Sequence, residues 1–135
     1  MAQLEKNWIR RPVLHLDLNI GKYDAPDSLD KILEEALSKW EITYGTGVGE
    51  TTLALRFKGI VERASQQSGQ RVAILVDEYD KPLLQAIGNK ELQSAYRNTL
   101  KPFYGVLKTM DGYIQFAMLT GVTKFGKVSV FSDLN

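Results

Sequence analysis

The segment that most constrains the fold is Val72-Ala73-Ile74-Leu75-Val76, five apolar residues in a row that run without a break into Asp77 and Glu78. A strand with one solvated face alternates apolar and polar residues. A continuous apolar run suits a parallel strand covered on both faces. Parallel neighbours must arrive by crossovers, and the rest of the chain supplies both the strands and the helices for them. Pro12 to Leu18 reads as a strand, with Leu14, Leu16 and Leu18 alternating with Val13, His15 and Asp17, and Tyr113 to Leu119 reads as another. The order strand, helices, strand, helix, strand implies a three-layer α/β fold with a parallel sheet and right-handed crossovers.

The helical segments are read from their spacing. Leu29, Ile32, Leu33, Ala36, Leu37 and Trp40 share one helical face, and Asp27 or Ser28 is placed to cap its first turn. A glycine-rich break at Gly45, Gly47 and Gly49 ends that helix. A second begins near Glu50, with Leu53, Phe57, Ile60, Val61 and Ala64 on its buried stripe and Gly69 closing it. Helical periodicity returns at Leu92, Ala95, Tyr96, Thr99, Phe103, Val106 and Leu107, with Pro102 inside the pattern, so a kink or restart is expected there.

Composition narrows the chemistry. The 135 residues suit one domain, and 44% hydrophobic against 24% charged residues is a globular balance. The net charge of +1 gives no support to a strongly basic nucleic-acid binder. With no cysteine and a single histidine, disulfides, thiol catalysis, zinc thiolate centres and two-histidine sites are excluded. No apolar run approaches the ~20 residues of a membrane span, and the N-terminus lacks the apolar stretch of a signal peptide. A cytoplasmic protein without a membrane partner is therefore expected.

In open parallel sheets, ligands bind beyond the carboxyl ends of the strands. Three polar sets fall there: Asp17; the run Asp77-Glu78-Tyr79-Asp80-Lys81; and Thr120, followed by Lys124 and Lys127. An apolar strand leading into two adjacent acids is the pattern of a nucleotide-hydrolysing core. The first acid holds magnesium through its water shell, and the second polarises the attacking water. The bland alternative is a pair of solvated acids capping a turn. Thr120 could hydrogen-bond the attacking water or the terminal phosphate. A nuclease reading of the same acids fails on spacing, because two residues separate Glu78 from Lys81 where that pattern has one. His15 reads as a packed strand residue, while Asp17 lies nearer the ligand edge.

The stretch Gly45-Thr46-Gly47-Val48-Gly49-Glu50-Thr51-Thr52 only superficially suggests a phosphate loop. That motif has four residues between its glycines and then Lys-Ser/Thr. Here three residues separate Gly45 from Gly49, Glu50 stands where the lysine belongs, and the stretch follows a helix instead of a strand. A flexible inter-helix loop is the better reading.

Three blocks, Val72-Ala-Ile-Leu-Val-Asp-Glu-Tyr-Asp-Lys-Pro-Leu83, Phe103-Tyr-Gly-Val-Leu-Lys108 and Leu119-Thr-Gly-Val-Thr-Lys-Phe-Gly-Lys-Val-Ser-Val-Phe-Ser-Asp-Leu-Asn135, closely resemble the bacterial AAA-ATPase-like family. Longer members of that family often carry a C-terminal nuclease domain of the PD-(D/E)XK type. Pro12-Val-Leu-His-Leu-Asp17 resembles the strand after the family's phosphate loop. The resemblance implies that Asp77 and Glu78 match the Walker B acids, for magnesium and water activation respectively, and that Thr120 matches the sensor position. It also implies that the phosphate loop lies upstream of Met1, since Arg10-Arg11-Pro12 lacks the glycine, lysine and serine.

The expected molecule is thus an incomplete P-loop NTPase sheet spanning residues 1–135, without the first strand and phosphate loop. ATP and Mg²⁺ are the cofactors implied for the complete parent, with neither held tightly by this chain alone, which is expected to be inactive. The partners implied are the phosphate-loop segment and a C-terminal nuclease domain. The alternative is a non-enzymatic interaction module or relic that forms a homodimer through an exposed sheet edge.

Overall fold

A computed structural model describes residues 10–121 of the chain. Strand β1 (Val13–Asp17) is followed by helices α1 (Ser28–Tyr44) and α2 (Leu53–Ser68), then by strand β2 (Val72–Asp77). The short helix α3 (Lys81–Gln85), the long helix α4 (Lys90–Thr109), a 3₁₀ turn (Asp111–Tyr113) and strand β3 (Ile114–Leu119) complete it. The sheet order is β1-β2-β3, and both pairings are parallel, so the chain forms an α/β fold on a parallel sheet, which fits an incomplete P-loop-like fold.

Each crossover moves one strand over in the same direction. Right-handed crossovers then set their helices on one face of the sheet. Burial follows that rule. Leu14, Leu16, Ile74, Val76, Ile114 and Leu119 lie in the core with Leu29, Leu33, Leu37, Phe57, Ile60 and Phe103 from the helices. On the opposite face Val13 is 52% exposed, Phe116 46% and Met118 43%. The register places Val13 and Phe116 on either side of Ala73, and His15 and Met118 on either side of Leu75. The described residues therefore supply the sheet and one helical layer. The apolar residues Ala73 and Leu75, which call for cover on both faces, look away from these helices.

The expected apolar stripes of α1 and α2 are the buried ones, but the helix ends differ from expectation. Asp27 precedes α1 without a side-chain capping bond. Ser28 Oγ instead accepts from the Ala25 amide, 3.0 Å away, which shapes the loop before the helix. Helix α2 starts at Leu53, where Thr52 Oγ1 accepts from the Leu55 amide at 3.1 Å. Helix α4 runs through Pro102 as one element, with no restart. Proline in a helix interior costs roughly 3 kcal/mol. Burial of Leu92, Tyr96, Leu100, Phe103, Tyr104, Val106 and Leu107 along the same helix outweighs it.

The glycine-rich segment between α1 and α2 is tied down, not loose. Arg63 donates to both carboxylate oxygens of Glu50, at 2.6 and 3.1 Å, and to the carbonyls of Tyr44 (3.1 Å) and Gly45 (2.8 Å). A Cβ on Gly47 or Gly59 would collide with the Glu50 carboxylate, so these glycines make room for the clamp. Glu50, at the position where a phosphate loop has its lysine, is thus a structural acid turned onto an arginine. A second cationic anchor, Arg56, joins α2 to Glu34 and Glu41 of α1.

Candidate functional site

The carboxyl ends of all three strands bring Asp17, Asp77 and Thr120 to one edge of the sheet. Asp17 and Asp77 are direct register partners, and the Leu18 amide donates to the Asp77 carbonyl at 3.0 Å. Neighbouring parallel strands lie about 4.8 Å apart, so two carboxylates are set side by side. Asp17 Oδ1 accepts from the Asn19 amide at 2.9 Å, which turns part of its charge toward the following loop.

Thr120 organises the end of β2 and the residues that follow it. Its amide donates to the Val76 carbonyl and its carbonyl accepts from the Tyr79 amide, each at 2.9 Å. Its hydroxyl donates to Asp77 Oδ1 at 3.0 Å and accepts from the Glu78 amide at 3.3 Å. One residue thereby holds four successive ones, Val76 to Tyr79. Within that grip Glu78 adopts φ 56°, the left-handed region, and it is the one non-glycine residue with positive φ among those described. Such a conformation costs an L-residue about 1–2 kcal/mol. No described side chain bonds the Glu78 carboxylate, which remains half-buried beside the strand end.

Asp77 is the electrostatic centre of the site. His15 Nε2 lies 2.7 Å from Asp77 Oδ2, and the two side chains are 53% and 45% exposed. Hydrogen bonds from His15 first, and from Thr120 second, hold the Asp77 carboxyl below the usual carboxylate range, against a weaker upward push from burial. His15 is therefore not a packed strand residue as its sequence position suggested. It faces the same way as Asp17, on the side of the sheet opposite the helices, and reaches diagonally to the next strand. A cleft of about 150 Å³ bounded by His15, Asp17, Ile32, Lys39 and Trp40 opens beside it.

Among the described residues no group of three or more His, Cys, Asp and Glu side chains could by itself hold a metal ion. The donor chemistry still fits a hydrated magnesium ion. That ion keeps several waters and takes one or two carboxylates together with phosphate oxygens. An ionised, accessible Asp77 with a hydroxyl alongside offers such a foothold. Lys81 is engaged elsewhere, donating to the Asn19 carbonyl at 2.7 Å and to its side-chain oxygen at 3.0 Å. Lys124 and Lys127 lie outside the described residues.

The sequence-predicted residues Asp77, Glu78 and Thr120 are thus brought together. Sequence reasoning missed His15, because its link to Asp77 depends on strand register. It also missed Gly121, where a Cβ would sit 2.6 Å from Asp80 Oδ1 and 2.7 Å from the Tyr79 ring. The close approach of Gly121 to a buried acid that follows the neighbouring strand has no local signature.

The family model described as Predicted AAA-ATPase matches residues 1–131. The chain belongs to this AAA-ATPase-like family. A protein from Azotobacter chroococcum mcd 1, known as an uncharacterized protein in the vnfD 5' region, is 38% identical over 130 residues. The match takes in 96% of this chain and 25% of that protein, so the chain spans a quarter of the length of its relative. No solved structure matches the chain. Within the AAA-ATPase-like chain, no helix of the described residues is long and apolar enough to cross a membrane.

Proposed function

We propose that the chain is a piece of an ATP-binding P-loop NTPase and carries the acids that complete its hydrolytic site. The observation that supports this most is the bonded set Asp77–Thr120–Glu78 at the carboxyl ends of adjacent parallel strands. In this reading Asp77 holds the magnesium ion through its water shell. Magnesium, when bound, neutralises charge on the phosphate oxygens. Glu78 accepts the proton of the attacking water, for which a carboxylate that no described side chain bonds is suited. Thr120 acts as the sensor, since its hydroxyl is held by both the metal-binding acid and the amide of the base.

The 135 residues contain no Gly-Lys-Ser/Thr sequence. Acids alone repel a triphosphate, and the backbone amides and lysine of a phosphate loop supply most of the grip on it. The purified 135-residue chain is therefore expected to turn over no ATP, whereas the longer parent protein binds and hydrolyses it with magnesium. Magnesium-dependent turnover by the 135-mer that disappears in Glu78→Gln would overturn the first expectation. A parent that neither binds nor hydrolyses ATP would overturn the reading itself.

A second reading is favoured by one observation, the exposed apolar residues Phe116 and Met118 on β3, the edge strand of the described sheet. An unpaired apolar edge promotes strand-to-strand association. The isolated chain is then a module that dimerises through this edge. Sedimentation is expected to show a concentration-dependent dimer that Phe116→Lys weakens, and a monomer at high concentration counts against it.

A further inference from the structure

We propose that His15 is a positioning residue for Asp77: its Nε2–H fixes the carboxylate so that the unused lone pairs face a cation at the strand ends. The inference rests on the reading of Asp77 as the metal-binding acid and deepens it by naming what orients that acid.

The geometry carries it. An ionised carboxylate only accepts hydrogen bonds, so at 2.7 Å from Oδ2 the His15 Nε2 must be the donor. Thr120 Oγ1 donates to the other oxygen, Oδ1, at 3.0 Å. With one donor on each oxygen, the carboxylate plane is defined by two strands, one on either side of its own. Each oxygen keeps a second lone pair for water in a metal's hydration shell. Asp17 is the direct register partner of Asp77, and two adjacent carboxylates would otherwise swing apart. A donor two residues earlier on the same strand face counters that repulsion. Groups that orient a metal-binding side chain typically change metal affinity by about 10–100-fold when removed.

The test uses the 135-residue chain, whose single histidine makes substitutions there unambiguous. Three-bond NMR couplings to Asp77 Cγ are expected to report one χ1 rotamer in the wild type and averaged rotamers in His15→Ala. His15→Gln, which retains an N–H donor, is expected to restore the single rotamer. Identical Asp77 rotamer populations in wild type and His15→Ala would overturn the positioning role. Titration with Mn²⁺ alone, followed by paramagnetic broadening of the Asp77, Glu78 and Thr120 amides, is expected to show affinity about 10-fold weaker in His15→Ala and largely recovered in His15→Gln. Should Asp77→Asn weaken Mn²⁺ binding while His15→Ala leaves it unchanged, the positioning role fails and the metal reading survives. Should wild type and Asp77→Asn respond alike, or neither respond, the metal reading fails, and the rotamer measurement alone decides whether His15 orients Asp77.

Discussion

In the full-length parent, Glu78→Gln is expected to lower kcat for ATP hydrolysis by about 10²–10⁴-fold, the usual contribution of a positioned general base. KM for ATP is expected to stay within a few-fold. In the proposed reading, the amide keeps the size of the side chain, removes a negative charge near the triphosphate, and leaves Asp77 in place for the metal. An interaction made only in the transition state shows this split between kcat and KM. The backbone at Glu78 provides a second, independent readout. Because φ is 56° there, Glu78→Gly removes the left-handed penalty while raising the entropy of the unfolded chain. The net effect expected in the 135-residue chain is a stabilisation of about 0.5–1 kcal/mol, read from the urea midpoint, together with loss of turnover in the parent. A variant more stable and less active identifies a residue held in strain for its chemistry. Wild-type kcat in Glu78→Gln would show that the base lies elsewhere.

Phe57→Ala is expected to cost about 3–5 kcal/mol of folding stability. Phe57 is 1% exposed and sits between two other rings. Its centroid is 4.4 Å from that of Phe103, with the planes within 8°, and 5.8 Å from that of Trp40. It therefore joins α1, α2 and α4 at a single point beneath the sheet. Removing the ring forfeits its burial and leaves a cavity that three packed helices cannot close. With a urea m-value of about 1–3 kcal/mol/M, the midpoint should fall by at least 1 M. Phe57→Leu, which refills most of the volume, should lose less than half as much. Equal losses for the two variants would show that the aromatic contacts, and not the filled volume, dominate.

Much of the fold was legible because it depends on local pattern. The stripe Leu29, Leu33, Leu37 of α1 and the stripe Phe57, Ile60, Val61, Ala64 of α2 are buried as their spacing predicts. The continuous run Val72–Val76 forms the central strand of the parallel sheet. The structure differs from the local pattern where several contacts compete for one residue or act beyond a short window. The sequence offers Asp27 or Ser28 as the cap of α1, but Asp27 makes no capping bond and Ser28 is engaged by Ala25 and Asp24 instead. Pro102 predicts an interruption of α4, but its penalty is set against burial along the whole helix, which no short window displays. The Glu50 clamp shows the same limit. Sequence showed that Glu50 cannot do a lysine's work in a phosphate loop, while only the fold showed Arg63 holding it.

The acids were legible for a different reason. Asp77 and Glu78 follow directly on the apolar run, so covalent connection alone puts them at the strand end where parallel sheets bind ligands. Sequence by itself determined the residue types, their place at the carboxyl end of β2, the absence of cysteine and the class of fold. Tertiary structure decided how those residues meet. Pairing in register set Asp17 beside Asp77 and brought His15 within reach of it from another strand. The parallel pairing of β3 with β2 gave Thr120 its four bonds to the end of β2 and the two residues after it. Such contacts join positions about a third of the chain apart or more, 62 residues for His15 and Asp77 and 43 for Asp77 and Thr120. Strand pairing is a property of the whole sheet, and a change of one residue in register would turn each of these side chains to the opposite face.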